Sequence, residues 1–204
     1  HSELLLMNIA HLLETYSQDL SKITNLTVGI GPGSFTGIRV AVNAARTLSY
    51  ALNIPCSPFS THEVLTFANG MHKEPILSLV PAHRNLVYVS IRRINSLNEI
   101  ETLFAPAAIE IDHLPELVNS PMICVGEGFG EWNDVFTPEL RANLLRPIGS
   151  VDVPKAGVLA QMAVLNMPSR PPIDWKSIQG LYIRGSEAEE KLRDGTLQQK
   201  IKIV

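Results

Sequence analysis

Apolar residues at helical spacing open the chain. Leu5, Ile9, Leu12 and Tyr16 form one stripe, widened by Leu6, Ala10 and Leu13, which predicts a helix from Ser2 to about Tyr16. Leu26 to Ile30 is a short continuous apolar run, the signature of a buried strand. A glycine-rich turn follows, Gly31-Pro32-Gly33-Ser34-Phe35-Thr36-Gly37. The next run predicts a helix from Ile38 to Leu52, with Ile38, Val42, Ala45 and Leu52 on one face and alanines around much of the rest. Asn53-Ile54-Pro55 stops it, and Ser60 or Thr61 caps a third helix over His62 to Ala68, closed by Asn69-Gly70.

After Pro75 the period shortens to that of strands. Ile76–Val80 and Leu86–Ile91 flank a turn at 81–85 and read as a hairpin. Glu101–Phe104 is a third strand, 112–118 a short helix and Met122–Val125 a buried strand running into a second glycine-rich turn, Gly126 to Gly130. Asp152-Val153-Pro154 is placed to start a helix with the stripe Val158, Met162 and Leu165, ended by Pro168. The order predicts an α/β protein of two sub-domains dividing between Gly70 and Pro75: residues 1–72, then 73–150, with 151–204 as a C-terminal helix and extension packing on both.

The turn after the first strand is the strongest candidate for chemistry. A strand, glycines and a helix N-terminus can hold an anion on free N–H groups at the positive end of the helix dipole. The candidate anion-binding residues are Gly31, Gly33, Ser34, Thr36, Gly37 and Arg39. The spacing fits no nucleotide motif: no lysine follows Gly37, and Gly31, Gly33 and Gly37 give G-x-G-x-x-x-G, one residue longer than the dinucleotide fingerprint. The alternative is a tight turn that brings the helix close to its sheet, with Arg39 anchoring the loop.

Composition narrows the classes. Hydrophobic content of 45% and charged content of 18% are those of an ordinary globular chain, and a net charge of −3 argues against a broad nucleic-acid surface. Cys56 and Cys124 sit in apolar runs, which favours buried thiols over a disulfide and suits a reducing compartment. The six histidines (1, 11, 62, 72, 83 and 113) include no pair four apart, so a two-histidine helical metal site is excluded, and surface or capping roles are expected for them. Ser34 with a histidine and an acid forms a triad only if the fold brings them together. No metal, cofactor or catalytic residue is expected.

The segment Val28-Gly-Ile-Gly-Pro-Gly-Ser-Phe-Thr-Gly-Ile-Arg39 resembles the hallmark of the TsaB (YeaZ) family. His1-Ser-Glu-Leu-Leu-Leu6, Ala41–Ile54 followed by Pro55 and Ser60-Thr61, Val80–Val89 and Leu181-Tyr-Ile-Arg184 resemble further family segments. The resemblance implies an actin/Hsp70-like (ASKHA) fold of two RNase H-like lobes. It implies a cytoplasmic bacterial subunit without catalysis of its own, acting in the formation of N6-threonylcarbamoyladenosine in tRNAs that read codons starting with A. TsaD, the transferase, and the ATPase TsaE are the implied partners. A homodimer is expected in isolation, and tRNA is reached only through the complex. The first two helices are the implied dimer surface, placed on Leu5, Ile9, Leu12, Ile38, Val42 and Ala45. Family members carry strands ahead of the first helix, so the first lobe is expected to be N-terminally incomplete. Pro81 and Leu86 replace acidic residues common in the family, which removes a role that needs carboxylates there. The competing reading is a peptidase-like or nucleotide-binding enzyme acting on its own.

Overall fold

A computed structural model of the chain describes residues 2–97 and 99–183, the side chains of Ser2 and Glu3 aside. Leu181-Tyr-Ile-Arg184 is therefore seen as far as Ile183, and Arg184 with the rest of the C-terminal extension lies outside the described residues. Helix α1 runs Ser2–Thr15 and buries no described residue. Strand β1 (Leu26–Gly29) leads through the glycine turn into α2 (Phe35–Leu52), which crosses over to β2 (Cys56–Phe59). The two strands pair in parallel, Leu26 opposite Cys56 and Gly29 opposite Phe59.

Helix α3 (Thr61–Asn69) begins with a full capping box. Ser60 Oγ accepts from the Glu63 N–H, and the Glu63 carboxylate accepts from the Ser60 N–H. It leads into the second sheet, built from β3 (Ile76–Pro81), β4 (Leu86–Ile94), β5 (Ile100–Glu110), β6 (Met122–Val125) and β7 (Leu144–Leu145) in the order β5-β4-β3-β6-β7. The β3–β4–β5 meander is antiparallel, while β6 joins β3 and β7 joins β6 in parallel. Short helices α4 (Leu114–Leu117), α5 (Glu127–Trp132) and α6 (Pro138–Asn143) lie between β5 and β7. Helix α7 (Ala156–Val164) follows.

Alternation along β3 sorts its side chains to two faces. Leu77 and Leu79 join Val87, Val89, Leu114, Phe136 and Leu140 in the largest apolar core. Ile76 and Val80 face the other way and pack with Leu65 of α3 and with Ile123 and Val125. Around the first sheet, Val28 and Cys56 pack with Ile38, Val42 and Ala45 of α2 and with Ile178. Phe59 and Val64 pack with Leu159 and Met162 of α7. After the second sheet the chain thus returns to the first. Residues 173–181 lie along it, with Ile173 bridged to Cys56 and the Leu181 N–H donating to the Ile30 carbonyl at 2.7 Å.

The expected elements are recovered up to β6, with β5 longer than the sequence pattern indicates. The last helix differs. It starts at Ala156, after Lys155, because Asp152 is engaged elsewhere: its carboxylate binds Arg146 through two contacts of 2.8 and 2.6 Å and accepts from the Gly126 N–H at 2.7 Å. That helix ends at Val164, before Pro168.

Gly126 shows why the second glycine turn needs glycine. Its φ is +100°, and a Cβ there would lie 2.2 Å from the Leu79 carbonyl oxygen. Gly126→Ala is expected to lower stability by about 3 kcal/mol or more, because both φ and the β3 backbone oppose the methyl. Gly130→Ala, in a helix with nothing within 4 Å of the added carbon, is expected to be neutral or mildly stabilising. Urea unfolding of both variants checks the contrast.

Candidate functional site

The glycine turn is tied into the fold through its backbone. The Gly31 carbonyl accepts from the Thr61 N–H at 2.8 Å, and the Pro32 carbonyl accepts from Thr61 Oγ1 at 2.7 Å. Gly31 has φ +101°, and a Cβ on it would run into the Ile38 side chain. Ser34 is the N-cap of α2, its Oγ accepting from the Gly37 N–H at 3.2 Å. Thr36 lies one turn position inside the helix, and the Arg39 guanidinium stacks over the Phe35 ring at 4.0 Å from its centroid. The six candidate anion-binding residues are therefore brought together, with the Ser34 hydroxyl used as a cap. This geometry fits the tight-turn alternative.

The six residues expected to form a dimer surface divide. Ile38, Val42 and Ala45 are buried in the chain's own core against Val28, Cys56 and Ile178. The apolar face of α2 that carries these three packs on its own sheet and on the returning C-terminal segment. Helix α1 is different. Leu5 and Ile9 are half-buried, while Leu4, Leu6, Met7, Leu12 and Tyr16 are between 52% and 68% exposed. Leu4, Leu6, Met7 and Leu12 of α1, with Tyr16 just past its end, thus leave large apolar side chains in solvent.

The polar centre of the molecule was not foreseen. The expectation of surface or capping roles fails for His62, which is completely buried between α3 and the second sheet. Its Nδ1 lies 2.6 Å from Ser78 Oγ, and Ser78 donates its single hydroxyl proton to the Ser90 carbonyl at 3.2 Å. The other ring nitrogen, Nε2, is buried and without a hydrogen-bond partner among the described residues. Burial, and then the nearby Arg92 charge, push the His62 pKa down to about 3. Both side chains of this serine–histidine pair are fully buried, so neither meets a substrate arriving from solvent.

Beside it lies a charge cluster around the buried Glu63 carboxylate, with Arg92 buried and Arg170 exposed. Glu63 accepts from Arg170 at 3.0 and 3.1 Å and faces Arg92 Nη1 at 3.8 Å. Arg92 donates Nε–H to Ser90 Oγ, and Arg170 also reaches the Pro58 carbonyl. Among the described residues no group of three or more histidine, cysteine, aspartate or glutamate side chains could hold a metal ion. Cys56 and Cys124 are both buried free thiols, and burial raises them to about 11 and about 12. No helix of the described residues is long and apolar enough to cross a membrane.

The family model described as TsaD, tRNA N6-adenosine threonylcarbamoyltransferase, matches residues 1–136. The protein of Bacillus subtilis (strain 168) named tRNA threonylcarbamoyladenosine biosynthesis protein TsaB is 45% identical over 75 residues, which is 36% of this chain and 31% of that protein. The Escherichia coli (strain K12) protein of the same name is 25% identical over 201 residues, 94% of this chain and 84% of its own length. Among solved structures, one titled YeaZ from Pseudomonas aeruginosa superposes with a TM-score of 0.71 at 21% identity, covering 89% of this chain and 84% of that one. A second, titled as an uncharacterized protein with similarity to peptidase YEAZ from the same organism, gives 0.72 at 22% identity, over 90% and 84%. The fold is that of the mixed α/β, actin-like (ASKHA) class. The chain belongs to the TsaD family, in its TsaB (YeaZ) branch.

Two outcomes test the polar centre. The unfolded histidine takes up a proton near pH 6.5 and the folded one only near 3, so between these values the unfolded state binds the extra proton. Stability is therefore expected to fall on acidification through that window, by up to about 1.4 kcal/mol per pH unit for this one group. His62→Asn should lose that part of the slope in urea titrations at a series of pH values. Glu63→Gln leaves Arg92 buried without its carboxylate and is expected to cost about 3 kcal/mol or more, read at pH 7.

Proposed function

We propose that this chain is a non-catalytic subunit in tRNA threonylcarbamoyladenosine biosynthesis, one that binds TsaD and holds it in its active arrangement, with TsaE as a further partner in the cytoplasm. The observation that carries the reading is the exposure of large apolar side chains along α1 and just past its end: Leu4, Leu6, Met7, Leu12 and Tyr16 are each more than half exposed. The names of the curated relatives, tRNA threonylcarbamoyladenosine biosynthesis protein TsaB, support the pathway. The match to the TsaD family supports a subunit that pairs with a related fold. Where TsaD is absent, a second copy of this chain covers the same helix. The Ser78–His62 arrangement gives no support to a peptidase acting alone.

Mixing the chain with TsaD of the same organism is expected to give co-elution on size exclusion and to raise tRNA modification by TsaD. Leu6→Glu and Met7→Glu, both on exposed positions, should weaken the complex by about tenfold or more and leave the unfolding midpoint within a few degrees. Co-elution unchanged by both charges refutes α1 as the contact. Turnover of a peptide by the isolated chain refutes the non-catalytic role.

A further inference from the structure

The returning C-terminal segment and α2 enclose a groove of about 530 Å³ that shares Arg39 with the candidate anion-binding turn and no residue with α1 or the Glu63 cluster. Its walls carry Arg39, Asn43 and Arg46 from one face of α2 and Gln179 from the returning segment, over a floor of Val42 and Ile178. No carboxylate lines it, and α2 contains no acidic residue. Neither Arg39 nor Arg46 forms an ion pair among the described residues. Arg46 donates to the carbonyls of Trp175 and Lys176, which fixes its guanidinium at the groove and leaves its charge uncompensated.

Tyr182 lines one end of this groove, and Tyr50 and Trp175 lie just beyond Arg46, which donates to the Trp175 carbonyl. Tyr182 packs on Phe35 with centroids 5.2 Å apart, and Arg39 stacks on the same Phe35. Beyond Arg46, Tyr50 meets Trp175 edge-on at 5.1 Å, with Lys176 Nζ 5.5 Å from the Trp175 ring. Tyr50 is 66% exposed and Tyr182 is 43% exposed, each propped by a second ring. Arg39 and Arg46 lie two helical turns apart on the same face, roughly 10 Å along the axis. A track of fixed cations between two solvent-facing aromatic platforms is the chemistry that takes up single-stranded nucleic acid, phosphates on the cations and bases on the rings.

We propose that the groove between α2 and residues 175–182 binds a single-stranded RNA segment, with Arg39, Arg46 and Lys176 on its phosphates and Tyr50 and Tyr182 stacking bases. An acidic protein segment would satisfy the cations and has no use for the exposed rings beside them, which is why RNA is favoured. The inference goes beyond the subunit role, which requires this chain to touch TsaD and not RNA. It stands or falls without TsaD.

The test uses the full chain alone and a fluorescently labelled twelve-nucleotide single-stranded RNA of mixed sequence, followed by anisotropy at several salt concentrations. Saturable binding is expected, weakening linearly in log affinity against log salt. Arg39→Glu with Lys176→Glu should reduce affinity at least tenfold, and Tyr50→Ala with Tyr182→Ala about as much. Unfolding midpoints of both double variants check that the fold survives, and the milder pair Arg39→Gln with Tyr182→Leu replaces any that does not fold. Absence of binding at low salt overturns the proposal, as does binding that neither pair of substitutions weakens. Inorganic polyphosphate and a polyglutamate peptide are the competitors. If either displaces the RNA and binds as tightly itself, with the tyrosines indifferent, the groove reads charge alone and the RNA assignment fails.

Discussion

The carboxylate of Glu63 ties together three parts of the chain that are far apart in sequence. It closes the capping box of α3, receives Arg170 from the returning C-terminal segment and faces Arg92 of β4. Each partner alone would be a poor bargain for a buried ion, since desolvation of a charge is offset only when several groups share it. Here the backbone N–H of Ser60 and two guanidiniums do so. The consequence is that α3 is fixed in register on the second sheet, which places His62 against Ser78 and Leu65 against Ile76 and Val125. Arg170 in turn sets the path of the segment that runs on past Ile173 to cover Cys56 and α2.

That path explains what was legible in the sequence and what was not. Period and caps located the first three helices and the β3–β4 hairpin, because Ser34, Ser60, Asn53 and Gly70 act locally and their signals are local. The helix α7 start was misplaced for a tertiary reason: Asp152 resembles a cap and is instead held by Arg146 and Gly126. His62 gives no sequence signal of burial, since its partner Ser78 lies on another element and both residue types are common on surfaces. The pairing of Glu63 with Arg170 spans 107 positions and has no local signature.

The stripe of α1 could be read from spacing, yet spacing cannot say whether a stripe meets the chain's own sheet or a partner. The structure separates two helices that look alike on paper. The stripe of α2 is filled by β1, β2 and Ile178, whereas α1 keeps most of its large apolar side chains in solvent. The tight glycine turn matters to this outcome because Gly31 lets Ile38 approach, which seats α2 on its sheet and against the returning segment at Ile178 and Gly180.

The central claim is that α1 is a subunit surface, and amide hydrogen exchange along that helix tests it most directly. In the isolated chain at low concentration, residues 4–15 should exchange within the fastest class of helical amides, since no described side chain there is buried. Addition of TsaD should slow those amides by orders of magnitude while the β3–β4 amides stay as they were. A complex that forms with α1 exchanging at its free rate would contradict the account.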